Sequence, residues 1–129
     1  MPAMDDPGGP LVVLCQGSRC AALHRLADAG AGAAAIAAAV AESRGAVLVT
    51  AGCLGRCSLG ALAGVAHRDG GGAMSPALWL SGIQAPERTA ALRRWLTGSG
   101  PGADPCRAVP ADLRTAVAGV GPPPLLRTA

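Results

Sequence analysis

The sequence predicts an α/β domain with helices packed on a four-stranded mixed sheet, and three observations carry that prediction. Two short apolar runs, Leu11 to Leu14 and Ala46 to Thr50, are bounded by glycine or proline, as buried parallel strands are. Between them lies a longer segment whose apolar residues recur at helical spacing, which makes a β-α-β unit. After the second run come two further strand-like stretches separated by a turn, and then a helix with a clear start signal.

In chain order, Leu11-Val12-Val13-Leu14 follows Gly8-Gly9-Pro10 and stops at Cys15. From Cys20 the pattern turns helical, with Leu26, Ala29, Ala33, Ile36 and Val40 on one face. Gly30 and Gly32 weaken its middle, so the expectation is either one kinked helix or a short turn followed by a firmer helix from about Ala33 to Ser43, capped by Gly45. The run Ala46 to Thr50 delivers the chain to Cys53 as the first strand delivers it to Cys15. Residues Ala61 to His67 read as a third strand, Asp69 to Gly72 as a turn, and Ala77 to Leu80 as a fourth strand carrying Trp79. Pro86 and Glu87 suit the first turn of a helix whose apolar face is Ala90, Leu92, Trp95 and Leu96, with Arg93 and Arg94 toward water. Three segments result: a flexible N-terminus over 1–9, the folded domain over 10–97, and a Gly/Pro-rich extension over 98–129. The extension is expected to be loosely attached, with one weak helical window at 110–118.

Bulk properties bound the function. The chain has 129 residues, 50% of them hydrophobic, which suffices for one domain with a real core. With no Phe, no Tyr and two Trp, that core is built of small aliphatic side chains. A net charge of +3 without a Lys/Arg block marks no nucleic-acid surface. The Ala-rich run from Ala31 to Ala41 is shorter than the roughly 18 to 20 residues a bilayer span needs, and the run after the acidic N-terminus is too short for a signal-peptide core. The reading is a cytoplasmic protein with no membrane partner. In a reducing cytosol, five cysteines with paired spacings point to metal or redox chemistry rather than to disulfides.

Four residues separate Cys15 from Cys20 and three separate Cys53 from Cys57. A [2Fe–2S] cluster takes four thiolates, two on each iron, and its sulfides are stabilised by backbone N–H donors and exclusion of water. Gly17, Gly52 and Gly55 in the two loops are expected to let the backbone fold tightly around sulfur. Arg19 and Arg56 each precede a cysteine, as solvated loop residues or as a positive rim for an acidic partner. Zinc accepts the same four thiolates, although structural zinc sites favour pairs with two intervening residues. A thiol–disulfide oxidoreductase needs a Cys-x-x-Cys pair, which the chain lacks. Four buried thiols without metal would leave the placement of both pairs in Gly-containing loops unexplained.

Strand-Cys-x4-Cys, helix, strand-Cys53-Leu54-Gly55-Arg56-Cys57, hairpin and helix together resemble the thioredoxin-like [2Fe–2S] ferredoxins, over roughly residues 10 to 97. That family includes free ferredoxins and the small cluster-bearing subunit of NADH dehydrogenases. Members often carry Ala-Pro shortly after the last ligand, where this chain has Gly60-Ala61. The resemblance implies a thioredoxin-like domain, Cys15, Cys20, Cys53 and Cys57 as ligands of one [2Fe–2S] cluster, and a homodimer. The function it implies is one-electron transfer between a reductase and an acceptor, not stand-alone enzyme catalysis. The alternative is a non-catalytic zinc or iron–sulfur sensor, or an accessory subunit docking on a larger enzyme.

Other candidates are set aside on residue type. Cys106 lies in the extension and reads as a free thiol. His24 and His67 are expected on a surface or helix face, since four cysteines already complete a site. Trp79 and Trp95 are expected to pack against each other between hairpin and last helix. The carboxylates show no paired spacing for acid–base catalysis.

Overall fold

The computed structural model describes residues 8–43, 45–52, 60–71, 73–98 and 100–121. The first strand, β1, spans Gly9–Cys15 and is buried from Leu11 to Cys15. Two helices follow, α1 (Ser18–Asp28) and α2 (Ala31–Glu42), before β2 (Val47–Ala51). The expected weak middle is a full break: Ala29 (φ 58°) and Gly30 (φ 87°) are both left-handed. Their N–H groups close α1 onto the carbonyls of Arg25 and His24. Asp28 Oδ2 then accepts from Gly32 N at 2.9 Å, satisfying a donor at the start of α2. Gly45 is not the cap of α2. Ser43 takes that place, its Oγ donating to the carbonyls of Ala39 and Leu96.

The chain continues through β3 (Ala63–Arg68), β4 (Ala77–Leu80) and α3 (Pro86–Thr97). Asp69 builds the β3–β4 turn, its Oδ1 accepting from Gly71 N and Ala73 N. Pro86 opens α3 as expected, and Leu92, Trp95 and Leu96 are buried while Arg93 and Arg94 are exposed. Beyond it come two four-residue helices, α4 (Pro105–Ala108) and α5 (Ala111–Arg114), and a last strand, β5 (Val117–Gly121).

The sheet therefore has five strands, not four, in the order β2-β1-β3-β4-β5. β1 and β2 are parallel, as the β-α-β reading requires, and every other pairing is antiparallel. The missed strand comes from the stretch expected to hang loosely. Leu113 and Ala116 are fully buried in the main core, and Ser81 N donates to Ala116 O at 2.8 Å. Only 111–114 of the expected helical window is helix, because 117–121 completes the exposed edge of β4 instead.

One face of the sheet carries the main core, in which Val12, Leu14, Val65, Leu78 and Leu80 meet Ile36, Val40, Leu92, Trp95 and Leu113. The opposite face carries Leu11, Ala66 and Ala77, with Val47, Val49, Met74 and Trp79 partly buried beside them. Strand alternation divides β4 between the two, Leu78 and Leu80 on the helical side and Ala77 and Trp79 on the other. The two tryptophans thus lie on opposite faces and do not pack against each other, contrary to expectation. Among the described residues no helix is long and apolar enough to cross a membrane. The longest, with 12 residues, reach about 18 Å against a hydrocarbon core of about 30 Å.

Candidate metal centre

β1 ends at Cys15, and its parallel register sets Cys15 beside Ala51, the last residue of β2. Both cysteine-bearing loops therefore leave the sheet from the same end of adjacent strands. Gln16 N donates to Ala51 O at 2.7 Å, holding the two exits together. The Cys15 thiol donates to the carbonyl of Gly52 at 3.3 Å, one residue before Cys53. Cys53 and Cys57 themselves, with Gly55 and Arg56, lie outside the described residues.

Cys20 sits in the opening turn of α1 and shares a buried cluster with Cys15, Ala61 and Leu62, against which Leu23 and Trp79 pack. Cys15 and Cys20 are both 0% exposed. The first spacing thus serves a definite geometry: the chain passes Gln16 and Gly17, turns into α1, and returns its second thiol to the cluster that holds the first. The floor of this cluster is pinned by Cys15 N to Leu62 O at 3.0 Å, Ala61 N to Gln84 Oε1 at 2.9 Å and Ile83 N to Ala61 O at 3.0 Å. These bonds tie the segment after the second cysteine pair to the start of α3.

Comparison with protein-family models, curated proteins and solved structures finds no match.

Gly55 lies outside the described residues, and neither Gly17 nor Gly52 has a left-handed backbone. Gly17 is extended (φ −60°, ψ 164°), a conformation open to any residue, and a Cβ at Gly52 would meet nothing within 4 Å among the described residues. Among the described residues no three His, Cys, Asp or Glu side chains gather into a metal-holding group, so the described half of the site is the pair Cys15 and Cys20. Arg19 is exposed, consistent with a position on the rim. Cys106 is partly buried against the main core on α4, and burial pushes its thiol pKa up, with Asp104 adding to the effect. An elevated pKa makes it a poor thiolate, and its core is not the one that holds Cys15 and Cys20.

His24 is not on the surface. It is 3% exposed on α1, one turn beyond Cys20, and its Nε2 has no hydrogen-bond partner among the described residues. Burial lowers its pKa, against the opposing pull of Asp28, whose Oδ1 is likewise buried and unpartnered. The helical spacing of Cys20, His24 and Asp28 already placed them on one side of α1 and was the available signal. A surface cavity of about 480 Å³ at the other end of the sheet, walled by Pro10, Glu42, His67, Thr97 and Pro101, contains no cysteine.

Proposed function

We propose that the chain holds a [2Fe–2S] cluster through Cys15, Cys20, Cys53 and Cys57 and serves as a small electron carrier between a reductase and an acceptor protein. The observation that carries this reading is the Cys15–Gly52 contact: the first cysteine of a buried pair donates to the carbonyl immediately preceding the second pair. Four thiolates from two loops meet at one point only if the loops leave from one place, and the parallel β1–β2 register supplies that place.

The residues fit such a group. Cys15 and Cys20 would hold it from β1 and α1, and Cys53 and Cys57 from the loop after β2. A [2Fe–2S] centre supplies reversible one-electron chemistry when bound. To hold such a group Cys15 would give up its hydrogen bond to Gly52 and release its proton to solvent. Leu23, Leu62 and Ala61 keep water from the thiolates, and the α1 dipole offsets part of their charge. Arg19 would meet an acidic partner at the rim.

The succession of strand, helices, parallel strand, antiparallel hairpin and helix supports a thioredoxin-like reading of the first four strands, with β5 an addition to it. The homodimer that the resemblance implies belongs to the same proposal, as does a cytoplasmic setting.

The test is iron, sulfide and zinc analysis with a visible absorbance spectrum on anaerobically purified protein, repeated on Cys53→Ser. Two irons and two sulfides per chain, with bands disturbed in the variant, are expected. Stoichiometric zinc without visible bands would replace electron transfer with a structural or sensing zinc module on the same ligands. Protein free of both metals would remove the metal centre altogether.

A further inference from the structure

We propose that Trp79 is the outer wall of the cysteine site, and that its indole sets how fast a metal centre held by Cys15 and Cys20 is lost to solvent; this rests on the metal-binding reading above. The position of the ring follows from the sheet. Trp79 lies opposite Gly64 on β3, and Gly64 lies opposite Val13 on β1, two residues before Cys15 on the same face.

The indole occupies the space that side chains would fill at its neighbours. A Cβ at Gly64 would come within 2.5 Å of Cζ3 and 2.9 Å of Cε3 and Cη2, and one at Gly121 within 2.9 Å of Nε1. The ring is therefore laid across the sheet, its pyrrole nitrogen over β5 and its six-membered ring over β3, reaching toward β1. At that end it packs against the cluster of Cys15, Cys20, Ala61 and Leu62, and it also touches the apolar cluster of Leu11, Ala66 and Ala77. Trp79 is only partly buried, so it has protein on one side and water on the other. A large apolar plate between a thiolate site and solvent controls the access of water, protons and chelators to it. Trp95 has no share in this, since it belongs to the main core across the sheet.

Two features of the chain are explained together. Gly64 sits inside β3 without a side chain, and its bare backbone is the seat of the ring. Gly121 lies in the strand drawn from the C-terminal stretch, so β5 supplies the other half of that seat.

The experiment loads wild type, Trp79→Phe, Trp79→Ala and Trp95→Phe with ferrous iron and sulfide under anaerobic conditions. It then follows loss of the visible bands after excess EDTA, and the tryptophan emission of Trp95→Phe before and after loading. Loss is expected to be roughly 5- to 20-fold faster in Trp79→Ala and less accelerated in Trp79→Phe. Emission from the Trp95→Phe protein, which reports Trp79 alone, is expected to be quenched on loading. Equal loss rates in wild type and both Trp79 variants, or unchanged emission from loaded Trp95→Phe, overturns the assignment while leaving the metal centre standing. Wild type that takes up no iron in the metal analysis overturns the metal reading and this inference with it. Should Trp79→Ala fail to fold, Trp79→Phe and the emission measurement decide alone.

Discussion

A methyl group added at Gly64 points straight at the six-membered ring of Trp79. The ring carbon Cζ3 would lie 2.5 Å from it, where ordinary contact between carbons begins near 3.5 Å, so the indole must retreat by about 1 Å. A rigid ring seated between two strands cannot do this by rotating its far end. Overpacking of this kind costs about 1–3 kcal/mol, while replacing Gly by Ala in a strand returns about 0.5–1 kcal/mol through the unfolded chain. Gly64→Ala is therefore expected to destabilise the protein by about 0.5–2 kcal/mol. With Trp79 truncated to Ala or Leu the obstruction is gone, and the same substitution is expected to stabilise by about 0.5–1 kcal/mol. The assay is urea unfolding followed by far-ultraviolet circular dichroism on the four members of the cycle, which yields a coupling of about 1–3 kcal/mol. Gly64→Ala acting with the same sign and size in both backgrounds would refute the placement of Trp79 over β3.

Two further outcomes follow from other parts of the structure. Leu113 is fully buried between α5 and the main core, so Leu113→Ala is expected to cost about 2–5 kcal/mol in urea unfolding, and a cost under about 0.5 kcal/mol would mean that the stretch before β5 is not part of the core. Burial lowers the pKa of His24 below its ordinary 6.5, so the unfolded chain binds its proton more readily than the folded one. The stability this histidine permits is complete above about pH 6.5 and is lost as pH falls below it, toward the depressed folded value. The urea midpoint of metal-free wild type is expected to drop between pH 7.5 and 5.5 by more than that of His24→Leu, and equal drops would exclude His24 as the cause.

The place of Cys15 at the end of β1 was legible because the pattern around it is local. Each cysteine pair follows a short apolar run, and a β-α-β reading makes those runs parallel neighbours, which puts Cys15 and Cys53 at one end of the sheet by expectation. The Cys15–Gly52 contact agrees with that expectation as far as the described residues extend. The glycines of the two loops show no left-handed backbone at Gly17 or Gly52, so their spacing carries no turn signal there.

By itself the sequence determined the α/β class, the parallel pairing of the first two strands, the hairpin, the start of α3 and the cysteine spacing, because each depends on residues within a few positions of one another. Tertiary structure alone decided the fifth strand, the face taken by Trp79 and the burial of His24. Val117 to Gly121 has little strand preference of its own. It becomes a strand because the edge of β4 offers unpaired backbone groups and because the indole of Trp79 needs a neighbour without a Cβ. Such pairings join residues some 40 positions apart, and their free energy comes from surfaces that exist only once the sheet has formed.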